Sequence, residues 1–184
     1  MFNALFEGEV VDIMTLLDAR EQRQYLQKTL LERYSPAPLV SVTLNIPGAV
    51  KYSPQLEQLA AHLMEYIDQS LQDSPLLYKK ETIQASGIEF FRVYGETPEV
   101  LKQRLIQLES NHPLGRLLDL DVLILEQGQP TPISREQVGG SRRKCYLCDN
   151  DAKVCARSRT HSVEEMQSYI QQQVVDYFSK EIII

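Results

Sequence analysis

Apolar residues fall near one stripe of the segment 15–34, and charged residues occupy its opposite face. No Gly or Pro interrupts this segment, so the pattern predicts an amphipathic helix with Thr15 as its N-cap. Three further helices are predicted where a Ser or Thr cap precedes a Pro or an apolar run: residues 53–72, 97–111 and 162 onward. Glu165 follows Ser162 by three positions, which is the spacing of a capping box.

β-Branched and other apolar residues dominate the shorter stretches between these helices. They predict strands over residues 38–46 and 117–125, two short strands within 76–94 that turn at Gly87, and a hairpin-like piece over 128–133. After the first helix the order is strand, helix, strand, strand, helix, strand, which is the split βαβ pattern. We therefore predict an α+β fold with a ferredoxin-like sheet, an added N-terminal helix, and a C-terminal Cys-rich loop plus helix.

Length and composition are those of an ordinary globular protein, with 184 residues of which 43% are hydrophobic and 24% are charged. We expect one domain over residues 1–184, with 137–184 as a candidate Cys- and His-containing C-terminal subdomain. No stretch approaches the roughly 18 apolar residues of a membrane span, and the N-terminus does not resemble a secretory signal. All three cysteines lie within eleven residues, which disfavours a secreted disulfide framework, so we expect a cytoplasmic location.

Charge is distributed unevenly along the chain. The net charge is −6 and the pI is about 5.1, which argues against nucleic acid as a partner. Residues 135–159 nevertheless contain seven basic residues and only three acidic ones. A basic segment on an acidic protein suits one compact anionic ligand better than a long polyanion.

Asp119 and Asp121 lie two positions apart on a predicted strand, so both side chains point to one face of the sheet. Two carboxylates on one face repel each other unless a cation lies between them, and Mg²⁺ can also carry phosphate oxygens. A solvated strand face is the alternative, although Asp is disfavoured in strands. Glu89 on the preceding strand is a candidate third carboxylate.

The turn into this strand contains His112 and Arg116. Arg116 could reach a phosphate group beside the aspartates, so we group both residues with Asp119 and Asp121 as candidate catalytic residues. The alternative is that the Pro and Gly of this turn only end the helix and that Arg116 is solvated.

Four candidate metal ligands follow within seventeen residues: Cys145, Cys148, Cys155 and His161. Thiolate and imidazole are the ligands of structural zinc, so the cluster predicts a compact zinc knuckle. Three buried cysteines beside a helix-start histidine are one alternative. A reactive thiol, activated by the flanking cations, is another.

Arg142, Arg143 and Lys144 directly precede this cluster and follow the glycine pair Gly139-Gly140. Guanidinium and ammonium groups on such a flexible stretch could wrap a polyphosphate. A solvated charged loop is the common alternative.

Together these segments resemble the holo-acyl-carrier-protein synthase of citrate lyase, which is the apo-citrate lyase phosphoribosyl-dephospho-CoA transferase family. The strongest matches are the segments His112–Val122 and Arg142–His161. Weaker matches are spread over the first third of the chain: Arg20–Arg23, Pro38–Ser41, Asn45–Gly48 and Lys51.

The resemblance implies a reaction and two partners. The donor would be 2′-(5″-triphosphoribosyl)-3′-dephospho-CoA, the acceptor a serine of the citrate lyase acyl carrier (γ) subunit, and the leaving group pyrophosphate. We expect Asp119 and Asp121 to hold Mg²⁺ and a set of basic residues to bind the donor phosphates: Arg20, Arg23, Lys51, Arg116, Arg142, Arg143 and Lys144. Neither nucleic acid nor a membrane is expected as a partner.

Two other functions fit the same residues. The chain could be a non-catalytic zinc-knuckle module that binds an acidic partner through residues 135–159. It could also be a related nucleotidyltransferase, for example one that acts on the malonate decarboxylase carrier, which bears the same prosthetic group.

Overall fold

The computed structural model describes residues 2–181, in which helices and strands alternate as the sequence predicts. The long helices are α1 (Ile13–Tyr34), α2 (Pro54–Ser70), α3 (Pro98–Asn111) and α5 (Val163–Glu181). The strands are β1 (Leu39–Leu44), β2 (Leu76–Gln84), β3 (Gly87–Tyr94), β4 (Leu118–Glu126) and β5 (Gln129–Pro132). A short helix, α4 (Ala152–Ser158), lies inside the segment that was expected to be a Cys-rich loop, and short 3₁₀ turns span Gly115–Leu117 and Glu136–Val138.

Helix starts follow the predicted caps with one exception. The prediction of Thr15 as the N-cap of α1 is wrong, because Asp12 accepts the Thr15 backbone N–H at 2.9 Å and the helix begins at Ile13. The capping box of α5 is confirmed, since Ser162 and Glu165 exchange hydrogen bonds between side chain and backbone. Ser53 caps α2 as predicted, at 3.1 Å from the Leu56 nitrogen.

The five strands form one antiparallel sheet in the order β2-β3-β1-β4-β5. The strands joined by α2 are separated by β3, and the strands joined by α3 are separated by β1, which is the split βαβ arrangement. The α+β, ferredoxin-like prediction is therefore confirmed. The hairpin strand β5 extends the sheet beyond β4.

Helices cover the two faces of the sheet unequally. On one face, apolar side chains of α2, α3 and α5 pack in a large core with Val40, Phe90 and Val122. On the other face, α1 contributes a smaller cluster in which Leu30 and Leu31 meet the sheet. Asp119 and Asp121 lie on this second face, at the end of β4 that the smaller cluster leaves uncovered. In residues 2–181 no helix is both long and apolar enough to cross a membrane.

Side chains complete the outer edge of β4 where β5 does not reach. β5 pairs with β4 only from Leu123 onward. Upstream of that point, the carbonyl of Leu120 accepts the Lys102 ammonium at 2.8 Å, and the carbonyl of Leu118 accepts Arg143 Nη2 at 3.2 Å. Strand carbonyls need such partners when they are withdrawn from water. The hydrogen bonds that satisfy these two carbonyls therefore bring Lys102 and Arg143 beside the two aspartates.

Gly115 sets how closely the end of α3 approaches the start of β4. A Cβ atom at this position would lie 2.2 Å from the backbone oxygen of Glu109, a distance that no side-chain movement can relieve. The predicted role of this turn as a helix end is thus confirmed, and it fixes Glu109 next to the aspartate strand.

We expect Gly115→Ala to lower the free energy of unfolding by about 2–3 kcal/mol, the usual range for overpacking a rigid site. Gly128→Ala is the matched control, because Gly128 has φ +75° but nothing within 4 Å of the added Cβ; its backbone strain should cost only about 1 kcal/mol. Urea denaturation measures both. A Gly115→Ala protein as stable as the control would contradict the packing role.

Candidate active site

An open cleft of about 1200 Å³ lies between the start of β4 and the segment 132–166. It lies at the upper end of the sizes usual for small-molecule sites. Its floor contains Asp119 and Asp121, and most of its remaining charged lining is cationic: Lys102, Arg116, Arg135, Arg142, Arg143, Lys153, Arg157 and Arg159. The cleft therefore combines paired carboxylates with a positive wall.

The two aspartates differ in their surroundings. Asp119 is about half exposed (47%), and its Oδ1 accepts Arg143 Nη1 at 3.0 Å. The Asp121 carboxylate is open to solvent at the floor of the cleft, but protein atoms surround it closely enough to remove part of its hydration. This burial raises the pKa of Asp121, and the negative charge of Asp119 raises it further, although Lys102 and Arg143 act in the opposite direction. A cation between the two carboxylates would offset the lost hydration of Asp121 and its repulsion by Asp119.

Arg143 ties the Cys-rich segment to the sheet. Its Nη2 donates to Glu109 at 2.7 Å and to the Leu118 carbonyl, while Nη1 holds Asp119. Glu109 is only 3% exposed and also accepts Arg135. Burial by itself lowers the pKa of Arg143, but the hydrogen bonds to Glu109 and Asp119 outweigh it and leave that pKa raised. The Arg143 Nε is buried with no hydrogen-bond partner among the described residues.

Arg116 and Tyr146 form a second contact across the cleft. The Arg116 guanidinium lies 5.1 Å from the centre of the Tyr146 ring and also donates to the Lys144 carbonyl. The Tyr146 hydroxyl donates to the Arg116 carbonyl at 2.6 Å. Burial raises the pKa of Tyr146 to about 12, so its phenol stays protonated. This contact holds Arg116 at the entrance without neutralising its charge.

Three cations of α4 and its flank contribute charge that the protein leaves unneutralised. Lys153, Arg157 and Arg159 line the cleft, and none of them takes part in an ion pair within residues 2–181. By contrast, Arg142 pairs with Glu136 at 3.2 Å. The α4 cations are therefore the ones most available to an anionic ligand.

Four residues with sulfur or nitrogen ligand atoms converge in the wall of the cleft, and three of them, Cys145, Cys155 and His161, are part of its lining. The ligand atoms of Cys145, Cys148, Cys155 and His161 all lie within 4.8 Å of one another. Cys148 Sγ is 3.5 Å from Cys155 Sγ and 3.3 Å from His161 Nε2. Burial raises the pKa of the Cys155 thiol to about 11, and hydrogen bonding with the other two thiols acts in the same direction.

The structure does not bring every predicted site residue to the cleft. His112 is buried on the other face of the sheet, where its Nδ1 accepts the Leu114 N–H at 3.0 Å and its ring packs beside Tyr66 and Tyr177. This is a helix-ending role, and His112 is absent from the cleft lining. Lys144 is exposed, pairs with Asp149 at 2.9 Å, and also lies outside that lining.

Arg20 and Arg23 of α1 and the nearby Lys51 lie outside the cleft lining, although the charge of Arg23 acts to lower the pKa of Asp121. Arg23 pairs with Glu89 at 2.6 Å, and the Lys51 ammonium donates to the Ile46 carbonyl at 2.6 Å. Burial lowers the pKa of Lys51, and the charge of Arg20 lowers it further.

Glu89, the candidate third carboxylate, lies with these basic residues and not with the aspartates. β1 lies between β3 and β4, with Thr43 opposite both Glu89 and Asp119, so Glu89 lies about 10 Å from Asp119 across the sheet. Its carboxylate is already bound by Arg23. The structure therefore does not place Glu89 with the aspartate pair.

Sequence reasoning missed Lys102 and Glu109, which both support the site from α3. Lys102 is 6% exposed and Glu109 is 4% exposed, on a helix face that also buries Leu105. The sequence contains a pattern that indicates these two residues, because positions 102, 105 and 109 share one stripe of the helix. A charged residue on the apolar stripe of a helix needs a buried partner, and here the partners are the Leu120 carbonyl and the two arginines.

Comparison with known proteins agrees with the resemblance inferred from the motifs. The family model described as apo-citrate lyase phosphoribosyl-dephospho-CoA transferase matches residues 11–177. A probable apo-citrate lyase phosphoribosyl-dephospho-CoA transferase of Streptococcus pyogenes (serotype M18, strain MGAS8232) is 40% identical over 176 residues, which cover 96% of this chain and 92% of that protein.

More distant relatives agree. A protein of the same printed name from Vibrio cholerae (serotype O1, strain M66-2) is 36% identical over 174 residues, covering 91% of this chain and 93% of that protein. Protein CitXG of Leuconostoc mesenteroides subsp. cremoris is 34% identical over 178 residues, covering 96% of this chain but 38% of that protein. The chain therefore belongs to the apo-citrate lyase phosphoribosyl-dephospho-CoA transferase family.

Proposed function

We propose that this chain transfers the phosphoribosyl-dephospho-CoA group from its triphosphoribosyl donor to a serine of the citrate lyase acyl carrier subunit, with release of pyrophosphate. Membership of the family supports the reaction. The observation that carries the site assignment is the aspartate pair at the floor of a cleft with a cationic wall. The cationic wall suits the donor phosphates, and the carboxylate pair suits the metal ion that phosphoryl transfer uses.

The carboxylate ligands at the floor of the cleft suit a magnesium ion. Asp119 and Asp121 offer two carboxylates on one strand face, and the raised pKa of Asp121 reflects burial together with repulsion by Asp119. Carboxylate pairs of this kind are usual Mg²⁺ ligands beside phosphates. When bound there, Mg²⁺ would neutralise charge on the α-phosphate and on the departing pyrophosphate.

The cations of the wall divide into two roles. Arg143 is held by Glu109 and Asp119, so its role is to position the aspartate. Arg116, Lys153, Arg157 and Arg159 keep their charges available, and we assign them to the donor triphosphate. In this assignment Arg142 contributes less, because it already forms ion pairs with Glu136 and Asp151.

The transfer itself needs one bond made, one broken and one proton moved. The carrier serine Oγ bonds to the α-phosphorus, and the bond from that phosphorus to the oxygen bridging to the β-phosphate breaks. Pyrophosphate leaves, and the serine proton passes to the Asp121 carboxylate.

Intact-mass spectrometry of the apo carrier subunit tests the reaction directly. With this protein, the donor and magnesium present, the carrier should gain the mass of phosphoribosyl-dephospho-CoA, and EDTA should abolish the gain. The carrier with its acceptor serine replaced by alanine is the control. An unchanged carrier mass, with folded protein and intact donor, would overturn the proposal; modification of only the malonate decarboxylase carrier would redirect it to that acceptor.

Asp121→Asn should reduce kcat/KM for the transfer by about 10³-fold or more, since it removes both a metal ligand and the proton acceptor. The protein should remain at least as stable as the wild type at neutral pH. A carboxylate with a raised pKa binds protons more readily folded than unfolded, so its contribution to stability improves as the pH falls and is unfavourable above that pKa.

Asp119→Asn is the matched partner of this variant. It should also lose activity, but it should lose about 1 kcal/mol or less of stability, because it breaks the half-exposed pair with Arg143. Steady-state kinetics and urea denaturation separate the two variants. Near-normal turnover in either protein would contradict the proposed metal site.

Arg157→Gln and Arg159→Gln should each raise the KM for the donor about tenfold, the usual loss for one charge-assisted hydrogen bond to phosphate. Lys144→Gln is the control, because Lys144 is equally cationic and lies in the same segment but outside the cleft lining. The donor KM of the control should be unchanged and its salt dependence should match the wild type. Equal effects of all three substitutions would show that only general charge matters.

A further inference from the structure

We propose that Cys145, Cys148, Cys155 and His161 bind one structural zinc ion. Their four ligand atoms lie within 4.8 Å of one another. In a tetrahedral site with zinc–sulfur bonds of about 2.3 Å, neighbouring sulfur atoms lie about 3.8 Å apart. The distances of 3.5 Å between Cys148 and Cys155 and 3.3 Å between Cys148 and His161 are close to that value.

The chain supplies all four ligands, which distinguishes a structural site from a catalytic one. Catalytic zinc keeps a position open for water or substrate, whereas structural zinc is closed by four protein ligands. Cys145 and Cys148 come from the turn before α4, Cys155 comes from within α4, and His161 comes from the link to α5. One ion would therefore join three consecutive pieces of backbone.

The segment around these ligands needs such a link, because it has almost no core. Between residues 134 and 162, Cys155 is the only buried residue. A segment that buries so little apolar surface cannot offset the entropy of ordering its backbone, and small metal-bound modules solve this with the ion. The hydrogen bonds from the Cys145 nitrogen to the Asn150 oxygen and from the Ala152 nitrogen to the Arg143 oxygen close the turn but bury nothing apolar.

The zinc site would act on the cleft by ordering the segment that forms its wall, which includes Cys145, Cys155 and His161. The segment that it orders carries Arg143 to Glu109 and Asp119, and it carries Arg157 and Arg159 to the wall. The inference does not depend on the transferase proposal, since zinc content and thiol chemistry are measured without donor or carrier. Failure of one proposal can therefore be told from failure of the other.

Metal content of the wild-type protein, purified reduced and with zinc in the growth medium, gives the first test. We expect about one zinc per chain. A thiol-specific mercurial should release that zinc as it reacts with the three cysteines. Replacement by Co²⁺ should produce the visible bands of a tetrahedral ion together with a thiolate charge-transfer band in the near ultraviolet.

Cys148→Ser and His161→Gln should each lower zinc affinity by at least about 10²-fold, and the remaining Co²⁺ spectrum of His161→Gln should shift as a nitrogen ligand is lost. Asp149→Asn is the matched control: its carboxylate adjoins Cys148 but is 96% exposed and paired with Lys144, so it should bind zinc as the wild type does. The wild-type measurements decide the question even where a ligand variant fails to fold.

Two results of the zinc measurements, and one result of the thiol chemistry, would overturn the inference. One is a wild-type protein with less than about 0.2 zinc per chain, no thiolate band with Co²⁺, and three cysteines that alkylate at the rate of free thiols. The other is zinc retained at full affinity by both ligand variants, which would place the ion elsewhere. A disulfide between two of the cysteines in the reduced preparation would count against zinc in the same way.

Discussion

The contacts of Arg143 with Glu109 and Asp119 hold the site together. Through them, a segment with almost no core of its own is fixed to the end of α3 and to the aspartate strand. Glu109 is nearly fully buried, and removing it would leave Arg143 and Arg135 without their shared carboxylate, which is far more costly than losing a surface ion pair. The Asp119 side chain, the floor of the cleft and the position of its wall all depend on this contact.

The same arrangement explains why the charges of the basic segment are not equivalent. Some of the charges are neutralised by ion pairs within the protein: Glu109 pairs with Arg143 and Arg135, and Glu136 pairs with Arg142. Lys153, Arg157 and Arg159, together with Arg116 from the turn before β4, face the cleft without a carboxylate partner in the described part of the chain. An acidic protein can in this way present a locally positive surface to a phosphate-rich donor while its overall charge stays negative.

Much of the fold could be predicted from local patterns. The caps of α2 and α5, the strands and the split βαβ order follow from spacing alone, and so does the shared face of Asp119 and Asp121, because the side-chain period of a strand is two. The convergence of three cysteines and His161 could likewise be predicted from their short separation in sequence.

Long-range contacts could not be predicted in this way. The sequence does not show that β5 stops short of the start of β4, and that gap is what recruits Lys102 and Arg143 to the strand edge. His112 adjoins the aspartate strand in sequence but is buried on the opposite face of the sheet. Similarly, Arg20 and Lys51 are basic residues of two matching segments and lie on the same side of the sheet as the aspartates, but neither lines the cleft.

A crystal structure of the wild-type protein with the triphosphoribosyl donor and magnesium, without the carrier, tests the central claim most directly. The donor cannot be consumed in the absence of an acceptor. The account predicts that the triphosphate lies in the cleft, with magnesium between it and the aspartate pair and with Arg157 and Arg159 within hydrogen-bond distance. A triphosphate bound under α1, at Arg20 and Lys51, with the cleft empty would contradict the account.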